Sequence, residues 1–187
     1  NMDNNNNFSD NWEDIKDGVT AICKKFPESY WKSLDQNRYY PLDFVNALTN
    51  AGYLSILIPE KYGGAGLPIR AASVILEEIH RCGANGAACH AQMYIMGSLL
   101  KHGDEKLKEK YLPDIAKGTL RLQAFGVTEP TSGSDTLSIK TSAKKSGKRY
   151  IINGQKVWTS RAEHSDLILL LARSNDSDIK QNNLSLF

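Results

Sequence analysis

The feature that most constrains this chain is a change of periodicity near residue 120. Before it, apolar residues recur at three- and four-residue steps; after it they fall in short β-rich runs bounded by Gly, Ser, Asn and Asp. The first pattern specifies helices and the second strands. The chain is therefore read as α+β, an N-terminal all-helical domain followed by an antiparallel β-domain. The expected divisions are a disordered tail over residues 1–9, a helical domain over 10–119 and an incomplete β-domain over 120–187.

In the first part, Trp12, Ile15, Val19, Ile22 and Cys23 share one face of a helix expected over 10–26, with Asp10 as N-cap and Glu13 as its capping-box partner. Pro27 ends it and opens a short helix through E-S-Y-W-K-S-L. A third helix runs over 41–51, with Phe44, Val45 and Leu48 inward and Gly52 as its stop. Gly63, Gly64, Gly66 and Pro68 then call for an ordered turn. Three longer helices are expected over 69–82, 86–102 and 104–118. The second is apolar almost all round and so is read as central and buried. The last starts acidic, which suits the positive end of a helix dipole, and Lys106, Lys108 and Lys110 read as a solvated face.

In the second part, L-R-L-Q-A-F-G-V, L-S-I-K-T-S-A-K-K, K-R-Y-I-I-N-G-Q-K-V-W and S-D-L-I-L-L-L-A-R read as strands. Asn153-Gly154 is the expected hairpin turn, because both central residues of a type I′ turn need positive φ. N-N-L-S-L-F opens a fifth strand, and a sequence stopping there leaves an unpaired edge, which reads as truncation.

A net charge of +2 gives no basic concentration of the kind nucleic acid requires, and no apolar run approaches the roughly 20 residues that span a bilayer. Three irregularly spaced cysteines and no secretion signal point to free thiols in a cytoplasmic protein. His80, Cys82, Cys89 and His90 lack the spacing of a zinc site, so no metal is expected. Ser134, His164 and Asp166 lack the G-x-S-x-G elbow of a hydrolase.

The stretch able to carry chemistry is G-V-T-E-P-T-S-G-S-D, Gly126 to Asp135. Small and hydroxylated residues at a strand end free backbone N–H groups, Thr128 and Ser134 to meet a polar heterocycle or a pyrophosphate; a plain turn is the alternative. V-T-E-P-x-x-G-S-D after a strand resembles the signature of the acyl-CoA dehydrogenases. Y-I-I-N-G-Q-K-V-W-T-S (150–160), I-P-E-K-Y-G-G-A-G-L (58–67) and K-Y-L-P-D-I-A-K-G (110–118) resemble three further family stretches, in family order. The resemblance covers residues 40 to 187.

That resemblance implies a helical domain, a β-domain and then a C-terminal helical bundle, the last absent from this sequence. It implies FAD as cofactor, an acyl-CoA thioester as substrate and α,β-dehydrogenation as the reaction. Phe125, Val127, Thr128 and Ser134 would line one side of the flavin, with Ser134 also near the substrate. Trp158, Thr159 and Ser160 would close the other side; Thr159 stands where the family often has an aliphatic residue, and Ser160 where Thr is commoner. His90, Met93 and Tyr94 would face the acyl tail, although on an apolar helix His90 and Met93 also read as packing. An electron-transferring flavoprotein would accept the electrons, and the full-length protein would be a homo-oligomer. The family's catalytic base is a Glu of the bundle, so no catalytic residue is expected in this chain. The alternatives are a flavin monooxygenase, an acyl-CoA oxidase, or a non-catalytic binding module on the same fold.

Overall fold

The structure is a computed structural model that describes residues 12–174 and 183–187. The expected tail over 1–9 and the Asp10 cap lie outside those residues. The chain divides into two compact units between Leu120 and Arg121.

Among the described residues, the first unit holds six α-helices: α1 (Trp12–Cys23), α2 (Glu28–Asn37), α3 (Leu42–Asn50), α4 (Ile69–Arg81), α5 (Ala87–His102) and α6 (Glu105–Lys117). The apolar stripes of α1, α3, α4 and α5 meet in one core. Val19 of α1, Phe44 and Leu48 of α3, and Ile75 and Ile79 of α4 are fully buried. Each such side chain contributes roughly 2 kcal/mol by leaving water. Phe26, Tyr30 and Trp31 pack edge-on around this core, with Phe26 and Trp31 ring centroids 5.2 and 4.8 Å from Phe44. α1 and α4 are also joined by the buried carboxylate of Glu78, which accepts from the Thr20 hydroxyl and from Arg81 Nε at 2.8 Å. The Arg81 guanidinium, against the opposing effect of burial, holds that carboxyl down at about 2.

Helix α5 departs from expectation. Its sequence, apolar almost all round, predicted a central, buried helix, yet one line along it, through His90 and Tyr94, faces solvent while Cys89, Ala91, Met93, Ile95 and Met96 are buried. Positions i and i+4 share a helix face, and their two rings lie 5.0 Å apart. The acidic start of α6 has a specific use: Asp104 Oδ1 accepts the Leu107 N–H at 2.8 Å. Asp104→Ala should cost about 1 kcal/mol, read as a lowered urea midpoint with an unchanged slope.

Among the described residues, the second unit holds a five-stranded sheet of β1 (Ala124–Gly126), β2 (Ser142–Ser146), β3 (Arg149–Asn153), β4 (Ile168–Ser174) and β5 (Leu184–Leu186). The strand order is β1-β4-β2-β3, with β5 also on β4. The α+β arrangement is as read from the sequence, but the sheet is mixed rather than wholly antiparallel. β2–β3 and β4–β5 are antiparallel, whereas β4 pairs in parallel with β1 (Ala124↔Ile168) and with β2 (Ser142↔Arg173). Parallel pairs need long connections, and the stretch between β1 and β4 supplies one.

The hairpin turn is also elsewhere. β2 and β3 are joined through Gly147-Lys148, where Gly147 has φ 59°, and Asn153-Gly154 lies at the opposite end of the ladder. Gly154 is glycine for a different reason: a Cβ there would stand 2.6 Å from Thr141 Cα.

Candidate functional site

Strand β1 delivers the candidate loop. After Gly126 the chain leaves the sheet with Val127 and Thr128 half-buried, then closes on itself at Glu129, whose N–H donates to Ser132 O at 2.9 Å while Ser132 N–H returns to Glu129 O at 3.2 Å. Pro130 and Thr131 form the tip of that turn. Gly133, Ser134 and Asp135 follow in an exposed stretch. The Glu129 side chain turns inward and is 5% exposed. It accepts the backbone N–H of Lys140 at 2.6 Å and of Thr141 at 2.9 Å, and the Lys156 ammonium at 3.0 Å. Burial works to raise this carboxyl, but the hydrogen bonds from Thr141, Lys140 and Lys156 outweigh it and hold the group down at about 2. Glu129 is therefore an ionised structural anchor, with nothing in its setting to make it a proton acceptor at neutral pH.

The second signature runs beside the first. Lys156 Nζ donates to Val127 O at 2.7 Å, Val157 N–H to Thr128 O at 2.9 Å, and Arg161 Nε to Gln123 O at 3.2 Å. Between these ties sit Trp158, Thr159 and Ser160. Trp158 is 88% exposed and has a left-handed φ of 60°. An aromatic residue rarely adopts that backbone or leaves so much surface in water, and such outliers collect where ligands bind.

The structure thus brings Val127 and Thr128 alongside Trp158, Thr159 and Ser160, with Phe125 half-buried in β1 opposite Leu169. Ser134 lies in the exposed part of the loop. Among the described residues, the hydroxyls of Thr128, Ser134, Thr159 and Ser160 have no hydrogen-bond partner. Free hydroxyls beside an exposed indole suit a flat heterocycle with a polar edge. His90 and Tyr94 belong to the helical unit, where their rings are exposed, while Met93 is 3% exposed and packs in the core.

Lys156 and Arg161 escaped the sequence reading. The available signal was a lone lysine in K-V-W, whose burial needs an acid partner; that Glu129 supplies it depends on a contact 27 residues away in sequence. Among the described residues no three His, Cys, Asp or Glu side chains are placed to hold a metal ion. Asp166 is taken up by the Arg121 N–H at 2.6 Å.

Residues 9–119 match the family described as acyl-CoA dehydrogenase, N-terminal domain, and residues 124–187 match acyl-CoA dehydrogenase, middle domain. The chain belongs to the acyl-CoA dehydrogenase family.

Within that family it is 37% identical over 145 residues to cyclohex-1-ene-1-carbonyl-CoA dehydrogenase of Syntrophus aciditrophicus, covering 77% of this chain and 35% of that protein. It is 31% identical over 175 residues to the mitochondrial isovaleryl-CoA dehydrogenase of Pongo abelii, covering 91% of this chain and 41% of the relative. The acyl-CoA dehydrogenase of Geobacillus kaustophilus superposes with a TM-score of 0.84 at 26% identity, over 97% of this chain and 48% of that one. The chain spans less than half the length of these acyl-CoA dehydrogenase relatives. No helix among the described residues is long and apolar enough to cross a membrane.

Proposed function

We propose that this chain supplies the FAD-holding portion of a protein that carries out α,β-dehydrogenation of an acyl-CoA thioester. The observation that carries the reading is the exposed, left-handed Trp158 set beside the unpartnered hydroxyls of Thr128, Thr159 and Ser160. Phe125, Val127, Thr128 and Ser134 line one side of the flavin and Trp158, Thr159 and Ser160 the other. Thr128 and Ser160 would each supply a hydroxyl to hold the flavin's polar groups. Ser134 of the β unit is proposed to contact the acyl-CoA; for the helical unit taken by itself, the exposed His90 and Tyr94 are proposed as contacts for the acyl tail. When bound, FAD supplies the acceptor for the hydride leaving the β carbon. The protein's part is orientation and the exclusion of water around the thioester.

The base that takes the α proton is not Glu129, which is committed to Lys156 and two backbone amides. We assign it, and the helical bundle through which the protein would form a homo-oligomer, to the remainder of a longer protein. An electron-transferring flavoprotein is the proposed electron acceptor, and three free thiols fit a reducing, cytoplasmic setting.

Anaerobic mixing of the full-length holoprotein with a panel of saturated acyl-CoAs tests the reaction. Loss of the visible flavin band with one of them is the expected result. A band untouched by every acyl-CoA in the panel contradicts it. Trp158 gives a second check: since its side chain is almost wholly in water, Trp158→Ala should leave stability within about 0.5 kcal/mol of the parent, while FAD dissociates roughly tenfold more readily. Thermal melts and flavin fluorescence titrations measure the two effects separately.

A further inference from the structure

Trp158 must be held in its left-handed backbone by something other than its own contacts, because its ring makes almost none. Three ties flank it, and Lys156 is the one that reaches deepest. Its side chain is 10% exposed, and its ammonium serves two acceptors at once, Val127 O at 2.7 Å and Glu129 Oε1 at 3.0 Å. Its methylene stem passes over Gly126: a Cβ on that glycine would stand 3.4 Å from Lys156 Cγ and 3.2 Å from Leu170 Cδ1. The next residue, Val157, continues the contact by donating to Thr128 O at 2.9 Å. Both acceptors of Lys156 belong to the loop that carries Thr128, and its chain neighbours carry Trp158. Strain of this kind persists only where the surroundings over-determine it.

We infer that Lys156, acting through Val127 O and Glu129, is a positioning residue that sets the spacing and orientation of Trp158 relative to Thr128, and thereby the fit of the flavin between them. The inference rests on the proposed flavin site. Lys156 touches neither the flavin nor the substrate; it fixes the two segments that do. A buried ion pair between surfaces that could otherwise slide gives geometric definition, which is a separate property from stability.

The test uses the protein at its full natural length and the double variant Glu129→Gln/Lys156→Met, which removes both charges together and leaves no unpaired buried ion. Lys156→Met alone serves as the harsher comparison. Circular dichroism establishes the temperature range in which each variant is folded, and FAD titration and the visible spectrum of the bound flavin are recorded within it. The expected result is a folded double variant whose FAD Kd rises roughly tenfold and whose flavin band changes shape. Unchanged Kd and band shape, with only a lowered Tm, overturn the positioning role and leave the pair purely structural. Should the unaltered protein fail to bind FAD, the flavin reading itself falls and this inference with it, an outcome distinct from the former.

Discussion

Lys156→Met is expected to destabilise the β unit by about 3 kcal/mol at neutral pH, because it leaves the Glu129 carboxylate buried without its counter-charge and Val127 O without a donor. The loss should depend on pH. Glu129 is held at about 2 in the folded protein against an ordinary 4.5, so its ionised form stabilises the fold above its unfolded value and that contribution fades as pH falls from 4.5 towards 2. In the variant the missing ammonium lets the folded carboxyl titrate higher. The gap between parent and variant should therefore be full above roughly pH 5 and narrow below it. Urea unfolding at a series of pH values reads this directly, and a gap independent of pH would show that the lysine acts through packing alone.

Gly64→Ala should produce a loss of similar size in the helical unit. A Cβ at Gly64 would stand 2.0 Å from Ile58 O and 2.6 Å from Ile58 C. Those are backbone atoms of a fully buried residue, so nothing flexible can yield. The surrounding loop is itself closed by backbone bonds, Gly66 N–H to Ile58 O at 2.8 Å and Leu67 N–H to Ile56 O at 2.9 Å. Forcing a methyl group into this space should cost about 3 kcal/mol. Gly133→Ala is the control: a Cβ there meets nothing within 4 Å, and no loss of stability is expected. Thermal melts of the two variants separate a steric requirement from a general intolerance of side chains in glycine loops.

The helices were legible because each announces itself locally. The stripe through Ile15, Val19 and Ile22, the acidic start at Asp104 and Glu105, and the stop at Gly52 are properties of neighbouring residues. Strand partners are not local. A hairpin signal speaks only for adjacent runs, so the parallel pairing of β4 with β1 and β2 had no mark in the sequence. Asn153-Gly154 misled for the same reason: the glycine serves a close approach to Thr141, thirteen residues back, and the turn falls at Gly147-Lys148. Helix α5 misled because His90 and Tyr94 are themselves only weakly polar, and their exposure is set by the elements packed on the other faces.

The candidate site was legible in its residue types and not in its mechanics. Thr128 and Ser134 stand out as hydroxyls of a loop at a strand end, whereas Trp158 and Ser160 enter only through the family resemblance. That a buried Glu129–Lys156 pair and the Arg161–Gln123 bond align the two segments depends on contacts across 27 and 38 residues of sequence. The strain at Trp158 is likewise a property of backbone geometry alone.

The central claim is that this chain helps to hold a flavin, and the most direct test is the flavin content of the full-length protein. The protein should be purified with FAD present, freed of excess and denatured, and the released cofactor quantified against protein. One FAD per chain is the predicted result, falling well below that in Trp158→Ala. A colourless protein that takes up no FAD while fully folded would contradict the account.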